Sequence, residues 1–589
     1  MSRLIIQNNS STTSQAGDEL WLSFAHQKLQ DALAARTGQG HDDTESVILE
    51  RELQSVDIVR KALLHRRNAL RPACRIPAEL LSHIFGLLCV DWCPGEEQSS
   101  TNQEPEPADA SPNNLGWIVV THVCRRWRQV ALSTAILWSN INCRLSERWA
   151  TEMFTRARNS PATYVIDEGD SVEHHRAILS QHLSHLKEIS GIEDRHATTS
   201  PAPLLESFDW EMDSSNADVV SLPPNMFAGH APRLRSLNLD CVVPPWNSLA
   251  FRNLDRLCIG IPQELITAPL SSLQPDYHSF YDFLESMPGL NHLCLVACLP
   301  SYHLYPAADR RVKFPNLKTV ELQGLARDCA ALVHRIEAPT LEEMNAHFVV
   351  SEATDQDIIY SMDSLSRHMR IRVIDDTPSH VHVLRFISSG GGGGSLNRRF
   401  DVRVQAWPVL VKNMRDLTDS STTHFPRIGG FFCASTEEST ERFYTVLTQA
   451  IRALPLDKAD ALILCAHPVW TPPTAANFAS YIPSTLPHLV LQGWLDPHIS
   501  RALVAPIDGT PALPYLKTLT FCNMRMAIPS TKPLDANDLL PVEIVAKRQR
   551  QYTPLEKVYV SDCTYKPEVI DELAGHVAVE RRGLPSRFA

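Results

Sequence analysis

The chain has 589 residues, 43% of them apolar and 21% charged, with a formal net charge of −12. That is globular material with enough apolar mass for a core, and its acidic balance excludes a surface built for broad binding of nucleic acid or anionic membrane. Proline outnumbers glycine, 41 to 23, which excludes glycine-rich or collagen-like character and shows that something in the chain uses proline repeatedly.

Residues 1–43 are polar and mixed, and the opening MSRLIIQNNS lacks the apolar region of a signal peptide. We expect this segment to be mostly disordered, with a short helix from Trp21 to Ala35. No stretch approaches 18 uninterrupted apolar residues, so no transmembrane helix is expected. The 14 cysteines are scattered without a secretory signal, which points to reduced thiols and a cytoplasmic and/or nuclear location. The basic run Lys547-Arg548-Gln549-Arg550 reads as a solvated face rather than a nuclear signal.

Residues 44–71 predict one amphipathic helix. Leu49, Leu53, Val56, Leu63 and Leu70 follow coiled-coil spacing, but Arg60 and Arg67 occupy two of the seam positions. The helix is expected to dock on the helical segment C-terminal to it rather than to pair as a homodimeric coiled coil. Residues 72–145 predict a compact helical domain. Pro77 starts a helix that places Leu80, Leu81, Ile84, Phe85 and Leu88 on one face. An acidic loop rich in Pro and Ser fills 93–114, and helical pattern resumes over 115–141. Trp92, Trp117, Trp127, Trp138 and Trp149 fall in this part of the chain and supply an aromatic core.

From about residue 160 to 589 one short pattern recurs, Leu-x-x-Leu-x-Leu with apolar swaps. It is seen at Leu205/Phe208/Trp210, Leu234/Leu237/Leu239, Leu254/Leu257/Ile259, Leu290/Leu293/Leu295, Leu317/Val320/Leu322 and Leu341/Met344/Ala346. It returns at Leu486/Leu489/Leu491, Leu516/Leu519/Phe521 and Leu555/Val558/Val560. The spacing straddles the period of leucine-rich repeats, with insertions. Alternate leucines predict a short strand with one face in the core. Two copies run on to Cys298 and Cys563, whose side chains are expected to turn inward and satisfy backbone groups at the bend. Six copies carry a proline two residues before their first leucine: Pro203, Pro232, Pro288, Pro315, Pro339 and Pro514. Residues 347–480 match poorly, and the glycines at 390–394 predict a flexible loop near 390–395. The fold class expected is therefore α+β multidomain, an N-terminal helical domain followed by an irregular leucine-rich-repeat α/β solenoid.

Residues 76–141 resemble an F-box of the F-box-like type abundant in mushroom-forming fungi. The residues that carry the likeness are Pro77, Glu79, Leu80, Leu81, Ile84 and Phe85, then Val123, Cys124, Arg125, Trp127, Arg128 and Ala131, and finally Leu137-Trp138. The loop between Phe85 and Val123 is longer than in a minimal F-box. The resemblance implies a substrate-receptor subunit of an SCF-type cullin-RING ubiquitin ligase. In that role the F-box binds the Skp adaptor, the repeats bind a protein substrate, and other subunits perform ubiquitin transfer. The alternative is a leucine-rich interaction scaffold with a degenerate F-box. Ile76, Pro77, Leu80, Leu81, Ile84, Val123 and Cys124 are the adaptor contacts the resemblance suggests, and Phe85, Trp127 and Trp138 its core. Substrate contacts are expected among polar residues between the inward leucines, on the concave strand face and adjoining loops: Arg235, Asn238, Arg256, His292, Lys318, Glu321, Lys517 and Thr520.

No catalytic residues, metal or cofactor are expected. Cys89/Cys93 and Cys294/Cys298 have no matching second pair for zinc, and Cys294 and Cys298 both have repeat positions to fill. His174, His175, His182 and His185 read as a solvated helix face. Gly169-Asp170-Ser171 resembles an esterase nucleophile block, but no Asp-x-x-His appears late in the chain, and a loop before a helix is the expectation.

Overall fold

The structure is a computed structural model. It describes residues 20–28, 30–31, 42–95, 115–166, 171–191, 199–210, 220–261, 275–301, 310–350 and 353–370. Beyond these it describes 373–374, 377–378, 383–390, 400–407, 427–434, 461–465, 482, 484–493, 500, 503–504, 506–507, 510–511, 513–526, 541–551 and 554–582. The chain divides into two compact units, residues 1–160 and 161–589. It is a mixed helix and parallel-sheet protein. None of its described helices is long and apolar enough to cross a membrane.

The first unit is helical. Residues 20–28 and 30–31 are helical, and Lys28 pairs with Glu52 of helix α1 (Asp42–Ala69) at 3.0 Å. The expected docking of α1 is not seen among the described residues. Leu53, Val56, Leu63 and Leu70 are all more than half exposed, because a stripe interrupted by Arg60 and Arg67 cannot be buried without desolvating two guanidinium groups. Pro77 then caps α2 (Ala78–Asp91) from the position before its first turn. The predicted helical stretch 115–141 is broken into a 3₁₀ turn Gly116–His122, helix α3 (Arg125–Ser133), a second 3₁₀ turn Ala135–Trp138 and a short strand Asn140–Asn142. Helix α4 (Glu147–Ala157) comes next, capped by the Ser146 hydroxyl.

The second unit contributes sixteen strands to one sheet among the described residues. They are β1 (Ala162–Val165), β2 (Leu186–Ser190), β3 (Ser207–Trp210), β4 (Ser236–Asp240), β5 (Arg256–Gly260), β6 (His292–Val296), β7 (Thr319–Leu325) and β8 (Glu343–Val349). Then come β9 (Val383–Gly390), β10 (Phe400–Trp407), β11 (Arg427–Ala434), β12 (Ala461–Cys465), β13 (His488–Gln492), β14 (Thr518–Cys522), β15 (Lys557–Ser561) and β16 (Val579–Arg582). Strands β1 to β8 pair in chain order, all parallel, and so do β12 to β16. Between them the order reverses to β8-β11-β10-β9-β12, with β10 antiparallel to both neighbours. The sheet thus runs on through the segment where the leucine pattern fails. Gly390 ends β9, and the remaining glycines of the 390–395 run lie outside the described residues.

All nine copies of the leucine pattern land on this sheet. Each puts its first apolar residue just before a strand and the next two inside it, and every one of these side chains is buried. Their register is kept from neighbour to neighbour: Phe208, Leu237, Leu257, Leu293, Val320 and Met344 form one row, and Trp210, Leu239, Ile259, Leu295, Leu322 and Ala346 the next. Helices α5 (Val172–His182), α6 (Tyr277–Glu285), α7 (Ala326–Arg335), α8 (Asp355–Arg370), α9 (Pro541–Gln551) and α10 (Pro567–Ala574) serve as connectors.

Six of the 41 prolines share one geometric use. Each of Pro203, Pro232, Pro288, Pro315, Pro339 and Pro514 is the second residue of a four-residue turn whose fourth residue is the first leucine of a copy. The turns close through Leu205 N–H to Ala202 O, Leu234 to Ala231, Leu290 to Met287, Leu317 to Phe314, Leu341 to Ala338 and Leu516 to Leu513. Proline presets the φ angle that this turn position needs, and it has no N–H to leave unpaired there. Strand exits repeat as well. Gly191, Cys241, Ala297, Gly493, Asn523 and Asp562 each come directly after a strand and have φ between 48° and 84°.

Candidate binding surfaces

In the first unit the α2 sequence divides its apolar residues between two faces. Leu81 and Phe85 are fully buried. The Phe85 ring packs on Trp127 at 5.3 Å, while Trp117 and Trp138 meet edge to face at 4.9 Å. Trp138 Nε1 donates to Ala131 O at 2.8 Å, and Trp127 Nε1 to Ala73 O at 3.2 Å. Leu80, Ile84 and Leu87, spaced to share the other face, stay 56%, 41% and 59% exposed. Pro77 is exposed at its start, and Val123 is 55% exposed between the 3₁₀ turn and α3. Leu80, Ile84 and Leu87 form an exposed apolar stripe along α2.

This moves two expected contact residues. Leu81 belongs to the core, because position 81 faces the aromatic cluster. Cys124 is half-buried and turned inward: its sulfur caps α3 by accepting from Trp127 N–H at 3.5 Å and lies 3.6 Å from Cys74 Sγ. Ile76 is half-buried, and its carbonyl accepts from Arg126 Nη2 at 2.7 Å. Phe85 and Trp138 are core residues, and Trp127 is half-buried at the edge of that core.

In the second unit the strand positions between the leucines face away from the core. Over β3 to β8 that face is open. Asn238, Arg256 and Glu321 are exposed and His292 is half-buried. In-register rows cross it: Ser207, Ser236, Arg256, His292, Thr319 and Glu343, and beside them Asp209, Asn238, Cys258, Cys294, Glu321 and Asn345. Asn238 Nδ2 donates to Asp209 Oδ1 at 2.7 Å. Arg235 stands just before β4 and braces the turns, donating to Leu234 O at 2.9 Å and Asn253 O at 3.3 Å. Lys318 and Lys517 lie one residue ahead of their strands, each 3.8 Å from a carboxylate, Glu342 and Glu556 respectively.

Thr520 is a correction. It is buried, and so are its row neighbour Val490 and, on the same face, Cys522 and Ser561. Around Thr520 this face is covered, whereas β15 carries Lys557 and Tyr559 half-buried on it. The fully exposed positions on this face, Asn238, Arg256 and Glu321, lie on β4, β5 and β7.

Other expected roles resolve the same way. Cys298 and Cys563 are buried at strand exits, bonding Ile259 O at 3.8 Å and Phe521 O at 3.3 Å, and burial pushes their thiols up to about 12 and about 11. Cys294, however, is half-buried on the open face and fills no core position. His175 is buried and bonds Tyr164 OH at 2.6 Å rather than facing solvent. Burial, and for His182 also the neighbouring His185, lowers the pKa of both His182 and His185. Among the described residues no group of three or more His, Cys, Asp or Glu is arranged to hold a metal ion. Ser171 caps α5 by accepting from His174 N–H at 3.3 Å, and Gly169 and Asp170 lie outside the described residues. Arg548 is fully buried on α9 instead of solvated.

No family model matches this chain, and no curated protein matches it. Among solved structures it is similar to the leucine-rich repeat-containing protein LegL7 from Legionella pneumophila, at 10% identity and a TM-score of 0.24 over 67% of this chain and 87% of that one.

The residues that sequence reasoning missed are Cys258 and Asp209. A signal existed for the first: consecutive copies read Leu-Cys-Ile and Leu-Cys-Leu, with cysteine in the same slot.

Proposed function

We propose that this chain is the substrate receptor of an SCF-type cullin-RING ubiquitin ligase. In this reading the first unit is an F-box that binds the Skp adaptor, and the second is a leucine-rich-repeat domain that holds a protein substrate on the open face of β3 to β8. The chain itself carries no catalysis. The observation that carries the reading is the division of α2: Leu81 and Phe85 fill the aromatic core while Leu80, Ile84 and Leu87 stand exposed at helical spacing. That is the arrangement of a docking helix held by its own small core. The mechanism is effective concentration. A tethered substrate lysine meets the charged conjugating enzyme as a neighbour rather than by diffusion.

The test is co-purification of the full chain with the Skp adaptor and cullin. Leu80→Asp with Ile84→Asp should abolish capture while leaving the fold intact, since both side chains already face water. A wild-type chain that folds and retains neither partner removes the ligase reading and leaves a non-ligase scaffold. Undiminished adaptor binding by the double variant shows that α2 is not the contact.

A further inference from the structure

Two cysteines on the open sheet face stand apart from the other described cysteines. Cys258 of β5 and Cys294 of β6 are direct in-register partners on adjacent parallel strands, both half-buried. Strands so paired lie about 4.8 Å apart, within the roughly 4.4–6.8 Å that a disulfide spans between Cα atoms. Arg256 and His292, themselves in-register partners, stand two residues ahead of the two cysteines on the same face. His292 is held in place from its other neighbour strand, where Nδ1 bonds Thr319 Oγ1. The hydrogen bond from Cys294 acts most strongly to hold Cys258 well below the ordinary thiol range, against the effect of burial; His292 and Arg256 add to it. Cys294 is pushed up, chiefly by that same bond, then by burial and by the carboxylate of Glu321. Cys258 is thus the more readily ionised sulfur of the two.

Proximity alone does not make this arrangement. Cys74 and Cys124 are also a thiol pair, 3.6 Å apart, yet burial and Cys124 push Cys74 up. Cys89 is pushed up to about 12 by burial.

We propose that Cys258 and Cys294 form a peroxide-sensitive dithiol, with Cys258 as the attacking thiolate and Cys294 as the resolving thiol. In the first step Cys258 Sγ attacks hydrogen peroxide, the O–O bond breaks, sulfur is oxidised by two electrons to the sulfenic acid, and hydroxide leaves. In the second, Cys294 Sγ attacks that sulfur, the S–S bond forms, the S–O bond breaks, and water leaves. The hydroxide from the first step takes up the remaining proton, so one peroxide and two thiols give one disulfide and two waters. A thiolate reacts where a thiol does not, and a neighbouring resolving thiol stops the oxidation at the reversible stage.

The experiment uses the full chain. Native protein is alkylated with iodoacetamide at about pH 5.5, where an ordinary thiol is roughly 0.1% ionised, and each cysteine is read by peptide mass spectrometry. Cys258 should react at least ten-fold faster than Cys89, Cys74 or Cys563, and His292→Gln should cut that advantage several-fold. After hydrogen peroxide the wild-type chain should yield a linked Cys258–Cys294 peptide pair lacking two hydrogens. Cys294→Ser should instead accumulate a dimedone-reactive sulfenic acid on Cys258. Equal alkylation of Cys258 and Cys89, or a peroxide-driven disulfide of Cys294 that persists in Cys258→Ser, overturns the proposal. The alkylation of wild-type chain decides by itself if a variant fails to fold. None of these readouts involves a partner protein, so they stand or fall separately from the ligase reading.

Discussion

Arg548 shows how far a single side chain can depart from what its neighbours in sequence suggest. Flanked by Lys547, Gln549 and Arg550 it looks like part of a solvated basic face, yet its guanidinium is fully buried. Nη1 donates to Leu503 O and Nη2 to Leu513 O, each at 2.8 Å. Leu513 opens the proline turn that leads into β14, so the arginine ties α9 to a strand entrance. Truncation would leave two buried carbonyls unsatisfied, at about 1–3 kcal/mol each. We expect Arg548→Met to lower the stability of the second unit by about 2–4 kcal/mol, seen as a lower urea midpoint at unchanged slope. Arg548→Lys should recover less than half of it, because one ammonium cannot span two carbonyls as a planar fork does. A Lys variant as stable as wild type would show that charge, and not the fork, is what the site needs. A charge run reads from sequence as solvated because nothing local distinguishes an arginine with distant carbonyl partners from one without.

At the scale of elements, the strands are legible in the sequence and their exits are not. The leucine frame places β3 to β8 and β13 to β15 because a half-buried parallel strand imposes a two-residue period, and an in-register stack imposes it at the same phase in every copy. It cannot place β9 to β11. There the chain doubles back, and an antiparallel β10 needs no connector that returns to the same edge, so the spacing that makes the other copies visible is lost. Strand exits are set by backbone conformation, which side-chain patterns report only in places, by glycine or by an inward cysteine such as Cys298 and Cys563. Gly191 and Gly493 are such places, but Ala297 adopts the same left-handed bend with φ 55°. An L residue there costs roughly 1–2 kcal/mol, while glycine costs about 0.5–1 kcal/mol in the unfolded chain. Ala297→Gly should therefore stabilise the second unit by about 0.5–1 kcal/mol, the bend being kept by its 2.7 Å bond from Ala297 N–H to Gln323 O. The reverse change at Gly191 has a different outcome, because a Cβ there would stand 2.1 Å from Ile166 O. Gly191→Ala should be destabilising in the same denaturant titration, and a stabilising result at 191 or a destabilising one at 297 would break the account.

For the molecule as a whole, the decisive feature is that two cores of different construction occupy one chain. The first unit rests on a few aromatic side chains, Trp117, Trp138 and Phe85, inside short helices. Such a small core concentrates its stability in few residues. The second spreads its stability over many in-register rows, each strand leaning mainly on its neighbours. A large deletion in the first core should thus be severe locally and nearly silent elsewhere. Trp138 is fully buried, its Nε1 is bonded to Ala131 O, and the Arg156 guanidinium lies 4.2 Å above its ring. Trp138→Ala should cost about 3–5 kcal/mol in the first unit, enough to raise amide hydrogen exchange throughout α2 and α3. Peptides covering β4 to β7 should keep their wild-type protection, since their amides are held by neighbouring strands and not by the aromatic cluster. Exchange rising equally in both sets of peptides would show that the two cores unfold as one cooperative body, and the separation of a small aromatic core from an in-register sheet would lose its physical basis.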